Sequence, residues 1–416
     1  MKHVAYLVAA LSIASPAAAQ RARLPEPLSL DDAMRIAQRH RPEVGAARAR
    51  AGAAEQRPAI VSVPDDPMLM LDLMHVPVEQ PQFMGGDFGI GAQMTVPLGD
   101  VLGSRARAAR AEARGQRRDA ERVGLDVALD AAMAFLELYL ARSMVGLIDA
   151  QLALAQQIEA SANARYSAGL GTQAEALRAE AEVARLRAER AALDGRVDGA
   201  EAMLRAALGL RPETHVPVLG TLMDDARLPL AQRAALARAQ RARPELAARR
   251  ARVERGQAET EAMEGMYWPM LTVRLGGAYT MADGAGVMGS VGISIPIFRD
   301  RLDAGVREAR LMTEMAEEEL TAMQRLIEGQ VGAAIGEVRA ARARRDALVS
   351  DVVPRAMATV DASLAQYAAG RVPQVMAIES LRVAFDLQIS ALRAEVEAAM
   401  AQARLARVLG EPGGTR

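Results

Sequence analysis

The side chains best suited to chemistry in this chain are soft sulfur donors spaced along one short segment. Met68, Met70 and Met74 recur at alternate positions around Asp72, and alternate residues of an extended strand share a face. Thioethers are soft ligands suited to Cu(I) or Ag(I). Methionine is also a flexible packing residue, and the chain holds 22 of them. His40, His75 and His215 stand far apart, none three or four residues from another, so a histidine-built metal site is not expected. Cysteine is absent, which removes disulfides, thiolate metal sites and thiol nucleophiles. No Gly-rich phosphate loop, nucleophile elbow or paired catalytic carboxylate pattern occurs. The chain reads as a non-enzyme that needs no cofactor.

The elements that must position these residues are written twice. Ala37-Gln38-Arg39-His40-Arg41-Pro42-Glu43-Val44 returns as Ala239-Gln240-Arg241-Ala242-Arg243-Pro244-Glu245-Leu246, an offset of 202 (244 − 42). Pro67-Met68-Leu69 recurs as Pro269-Met270-Leu271, and Tyr166-Ser167-Ala168-Gly169 as Tyr367-Ala368-Ala369-Gly370. Leu208-Gly209 closes the first copy as Leu409-Gly410 closes the second. Matches in one order at a nearly constant offset mean a duplicated unit. The expected division is a signal peptide at 1–19, a first repeat at 20–210, a linker at 211–227, a second repeat at 228–411 and a tail at 412–416.

The first 19 residues carry a short basic start, an apolar run from Val4 to Ala14 and a small-residue cleavage site at Ala17-Ala18-Ala19, the pattern of a secretory signal. No later stretch reaches 18 uninterrupted apolar residues, so no transmembrane helix is expected in the mature chain. A formal net charge of −1 hides a thorough mixture of signs, which suits solvated helix faces better than a nucleic-acid footprint. Aromatics make up 3% of residues against an apolar total of 51%. Small apolar side chains suit long helices packed side by side at close spacing.

Each copy reads as helix, two strands and a long helical hairpin. In the first, Ser29 caps a helix expected to run from Leu30 to about Gln56, ended by Pro58 and Pro64. The period then drops to two, predicting strands at about 67–77 and 88–97, with counterparts at about 269–280 and 288–297. Leu69, Leu71, Leu73, Phe88 and Ile90 fall on one face; Asp72, Gln93 and Thr95 fall on the other. In the second copy Val291, Ile293 and Ile295 oppose Ser290, Gly292 and Ser294. Strands of about ten residues, greasy outside and polar inside, match those of membrane-spanning β-barrels.

No proline interrupts the chain from about Ser104 to Asn163, and such a stretch makes roughly 90 Å of helix at 1.5 Å per residue. A turn at Tyr166–Gly169 and a return helix from Thr172 to Leu208 follow. The second hairpin is expected from Arg301, with a kink at Pro354, and back from Pro373 to Leu409. Four strands cannot close a barrel, and a bilayer does not tolerate open strand edges, so the chain must oligomerise around an axis. An exported coiled-coil adaptor or structural protein would share the helices but has no use for duplicated amphipathic strands.

Signal peptide, duplicated units, Tyr-x-x-Gly turns and the Leu-Gly closing each half together resemble the TolC-like outer membrane factors, the outer membrane efflux proteins. The resemblance implies a mainly α fold with a membrane β-barrel part: a homotrimer with a twelve-stranded barrel in the outer membrane of a Gram-negative bacterium, standing on a twelve-helix periplasmic barrel. It implies a role as exit duct of a tripartite system, joined to a periplasmic adaptor (membrane fusion protein) and an RND-type inner-membrane pump. Pro64-Asp65-Asp66-Pro67-Met68-Leu69, followed by His75-Val76-Pro77, looks like the branch that serves heavy-metal cation pumps. His75 stands where that branch usually has Asn, and Val96-Pro97-Leu98-Gly99-Asp100 departs from its usual Pro-Gly-Lys. Multidrug efflux and type I secretion use the same kind of duct. Counting from the second Tyr-x-x-Gly, the resemblance puts the periplasmic gate at Met376 and Glu379, where three glutamates would make a ring that attracts cations. A glutamate paired with Arg382 is the plainer alternative for Glu379. The hairpin tips at Gly169, Gly370 and Arg371 would face the adaptor, and the two glycines also suit tight turns.

Overall fold

The computed structural model describes residues 24–74, 87–222, 231–280 and 282–411. The expected signal peptide, His75 with the end of the first strand, residues 223–227 of the linker and the tail at 412–416 lie outside the described residues. The element order runs twice. The first pass is α1 (Leu30–His40), α2 (Pro42–Val61), β1 (Met68–Met74), β2 (Asp87–Pro97), α3 (Val101–Ser167) and α4 (Gln173–Ala207). The second is α5 (Gln232–Ala242), α6 (Pro244–Gly265), β3 (Met270–Thr280), β4 (Gly284–Ser294), α7 (Arg299–Ala347), α8 (Val353–Ala368) and α9 (Gln374–Leu409).

Local rules account for most boundaries. Ser29 accepts a hydrogen bond from the Asp32 backbone and caps α1. Contrary to the expected single helix to Gln56, the chain breaks at Arg41, which is extended (ψ 125°), because Pro42 disfavours helical backbone in the residue before it. Pro58 does not end α2, which continues to Val61. Its fixed φ suits a helix, and the turn around it is largely exposed. The expected kink at Pro354 takes the form of a π-helical turn, Leu348–Val352, between α7 and α8. The Val353 N–H donates to the Leu348 carbonyl, and Pro354 can supply no N–H to restore the usual register.

With 67 residues, α3 is about 100 Å long. It packs against α1, α2, α4, α6 and α9. Its buried face is rich in alanine, including Ala106, Ala108, Ala111, Ala128, Ala131 and Ala132, which lets helix axes approach closely. One stretch of α3 is long and apolar enough to cross a membrane by composition, a departure from the expectation of no such helix. Val127, Ala131, Phe135, Leu136 and Leu138 bury themselves against α1, α4, α9 and the linker residue Val216, so this face is committed to the protein core. A second cluster joins α3, α4, α8 and α9 towards the hairpin tips, and a third joins α5, α6, α7 and α9. Each fully buried Leu or Phe contributes about 1.5–3 kcal/mol.

The strands form one antiparallel sheet in the order β1-β2-β3-β4, so β2 and β3 join the two copies, while β1 and β4 are its edges. The fourth strand runs Gly284–Ser294 rather than 288–297. Gly284 has φ +77°, which permits a tight hairpin and an early start, and Pro296 has no N–H with which to prolong the ladder.

Candidate functional site

The sheet has two chemically distinct faces. On one lie Leu69, Leu71, Ile90, Leu275, Val287, Val291 and Ile293, all exposed, with Val287 94% so. Phe88 and Tyr279 stack at 5.6 Å on the same face, as their pairing in register requires. An apolar belt this large has no cover among the described residues, which is the signature of a lipid-facing wall. The opposite face carries Asp72, Gln93, Thr95, Thr272, Arg274 and Ser290, set by the register of the three ladders. The Thr95 and Thr272 hydroxyls meet at 3.0 Å, and Arg274 pairs with Asp72.

Two of the predicted methionines fall on the polar face, Met68 exposed and Met70 half-buried; the side chain of Met74 lies outside what the structure describes. Sequence reading missed Met288. Met70 pairs with Gly91, Gly91 with Gly276, and Gly276 with Met288, so two methionines flank a lane of glycines. The alternation within β4 contained this signal, since Met288 shares its face with Ser290 and Gly292. His40 at the end of α1 and His215 in the loop after α4 are both exposed. Among the described residues no group of three or more His, Asp or Glu could hold a metal ion.

At the other end of the molecule the two hairpins turn. Gly169 (φ +71°) and Gly370 (φ +69°) both need the left-handed backbone that glycine tolerates. Arg371 is exposed at the second tip. The tips are tied together: the Arg165 guanidinium lies 5.5 Å from the centre of the Tyr367 ring and donates to the Leu170 carbonyl at 3.3 Å. Tyr367 is buried, whereas its counterpart Tyr166 is exposed. Burial pushes the Tyr367 hydroxyl pKa up, with the charge of Arg165 opposing it.

Just inside the tips, Met376 and Glu379 are exposed on α9. Glu379 forms no salt bridge among the described residues, and it acts on Arg382 only through space. Arg382 does not pair with Glu379. It turns instead to Glu182 on α4, donating through Nε at 3.2 Å and through Nη2, and Arg185 Nη2 donates to the same carboxylate at 2.8 Å. Glu182 is 4% exposed. Burial acts to raise its pKa, but hydrogen bonds from Arg382 and Arg185 outweigh that and hold it at about 2. This buried tie between the return helices leaves the Glu379 carboxylate uncommitted. No local sequence signal joins residues 182 and 382, so sequence reading could not find it.

A sheet with one lipid-fit face, continuous with helices of about 100 Å, defines a membrane-anchored duct. The outer membrane efflux protein family matches residues 33–210, the first of the two copies. The chain is 24% identical over 335 residues to the outer membrane efflux protein BepC of Brucella suis biovar 1 (strain 1330), covering 77% of this chain and 72% of BepC. Two solved structures share the fold. The outer-membrane channel OprN aligns with a TM-score of 0.79 at 16% identity, over 94% of this chain and 93% of OprN. CusC aligns with a TM-score of 0.80 at 16% identity, over 92% of both chains. With its first copy matching the outer membrane efflux protein family, the chain is an efflux channel component of the outer membrane and not an enzyme.

Proposed function

We propose that three copies close their sheets into one barrel and line up their hairpins as a periplasmic tube, which passes heavy-metal cations from the periplasm to the exterior. The observation that carries this reading is the four-stranded sheet with a bare apolar face and two open edges, β1 and β4. A bilayer does not accept unpaired strand edges, and pairing β1 of one protomer with β4 of the next removes all of them. In this reading 20–210 and 228–411 are equivalent halves of each wall. The exposed tip residues Gly169, Gly370 and Arg371 meet a periplasmic adaptor, which couples the duct to an RND-type inner-membrane pump.

The cation assignment is supported by soft donors on the polar face, Met68 and Met70 with Met288, and by the uncommitted carboxylate of Glu379 at the mouth beside Met376. Growth of a deletion strain, with and without the complementing gene, tests it across copper, silver, zinc, cobalt and cadmium and a panel of dyes and antibiotics. Sensitivity to metals alone is expected. Sensitivity to drugs with normal metal tolerance would instead make this a multidrug duct and leave the methionines as packing. Glu379→Ala is expected to weaken cation selectivity in single-channel recordings; unchanged conductance and ion preference would remove Glu379 from the gate.

A further inference from the structure

We propose that Asp72 and Arg274 form a wall-mounted ion pair that sets the charge of the barrel bore, an inference that rests on the duct reading above. Arg274 on β3 stands opposite Gln93 of β2, and Asp72 on β1 stands opposite Gly89 of β2. Their side chains nevertheless meet, crossing β2 entirely. Two glycines open the path. A Cβ at Gly91 would sit 3.4 Å from Arg274 Nε, and one at Gly89 would sit 3.7 Å from Asp72 Oδ2. Met288 lies alongside, its Cε 3.2 Å from that same Cβ position at Gly89. The Arg274 side chain is 16% exposed and that of Asp72 28%.

Arg274 is the one cation within the four strands, and Asp72 and Asp87 are their only acids. In a trimer, three unpaired arginines would make a positive ring on the wall of the bore and repel cations. Pairing each with Asp72 cancels that field and holds the long side chain out of the path. The pair also stitches the edge strand β1 to β3. Asp72 and Arg274 are thus specificity-determining residues: their mutual neutralisation lets a cation through a barrel that carries arginine.

The test is the cation-to-anion permeability ratio of the purified full-length channel in planar bilayers under a potassium chloride gradient. Asp72→Asn is expected to lower the ratio at least about threefold by freeing the guanidinium, and Arg274→Gln to raise it by a similar factor. The exchanged double variant Asp72→Arg, Arg274→Asp is expected to return to within about twofold of the parent, because the pair is remade in reverse. Wild-type ratios in both single variants would overturn the proposal, as would an exchanged variant that behaves like either single one. Should Asp72→Asn fail to assemble, Arg274→Gln decides alone, since it leaves only the carboxylate on the wall. Absence of any conductance from the parent protein would instead sink the duct reading, which is a separate outcome.

Discussion

The long outward helix of the first copy, α3, runs unbroken for 67 residues, whereas its counterpart is divided into α7, a π-helical turn and α8. The return helices differ as well. Thr172 forms a full capping box with Glu175 at the start of α4, while α9 begins at Pro373 with no side-chain cap. Further along, Arg41 and Glu43 pair with Glu43 half exposed to solvent, at 54%. The equivalent Arg243 is buried and pairs with Glu245, which in turn shares Arg407 with Asp126. The first hairpin thus has a continuous outward helix, and the second has one interrupted by a π-helical turn before Pro354. The second is also the hairpin whose final helix carries Met376 and Glu379, so the interrupted helix and the expected gate belong to the same copy.

The strongest way to break this contrast is to move the proline. Position 153 is the first-copy equivalent of Pro354 (354 − 201) and holds an exposed alanine. Ala153→Pro is expected to cost about 3 kcal/mol or more by removing a backbone hydrogen bond and crowding the preceding turn. Thermal unfolding of the detergent-solubilised protein measures the loss, and an unchanged midpoint would mean that proline is not what distinguishes the hairpins. Pro354→Ala should act oppositely, slowing amide exchange at residues 348–352 as the regular ladder closes.

A smaller effect concerns the caps. Thr172→Ala is expected to cost about 1 kcal/mol, read as faster amide exchange in the first two turns of α4. The matching Pro373→Ala should leave the start of α9 unchanged, because no side-chain cap exists there to lose. Equal responses at both tips would erase the asymmetry assigned to the capping box.

The smallest expected effect is a null response to mild acid. The Glu182 carboxylate is held below its ordinary value of 4.5, at about 2. A depressed carboxylate contributes stability that is fully present above the unfolded-state pKa and lost only as pH falls through the folded one. The tie from α4 to α9 therefore stays intact from pH 8 to pH 5 and weakens only below about 4.5. Spin labels on the two hairpin tips should keep one separation across pH 8 to 5. Widening at pH 5 would show that another group governs closure.

Much of this architecture was legible in the residues. The period-two runs around Asp72 and Gln93 announced a sheet with one greasy face, because strand geometry alternates side chains whatever surrounds them. The hairpin turns at Gly169 and Gly370 were equally legible, since a left-handed backbone selects glycine locally. Harder to read were Arg41, where the helix broke one residue before Pro42, and the early start of β4 at Gly284. In both cases the deciding factor was a neighbour's backbone preference rather than hydrophobic pattern. The candidate site was legible at Met68, Met70 and Glu379 as positions, but not in their surroundings. The diversion of Arg382 from Glu379 to Glu182, and the reach of Arg274 across a glycine lane to Asp72, lie outside any local rule.

By itself, then, the sequence determined the elements: the duplicated order, the long helices, the two-faced strands and the tight turns, each set by interactions between residues a few positions apart. Only the tertiary structure decided which charges meet. Arg382 with Glu182, Arg274 with Asp72 and Arg407 with Glu245 are pairs separated by 162 to 202 residues in the chain. A long arginine side chain can reach several carboxylates from one backbone position, so its partner is chosen by helix packing and strand register, which no local window of sequence contains.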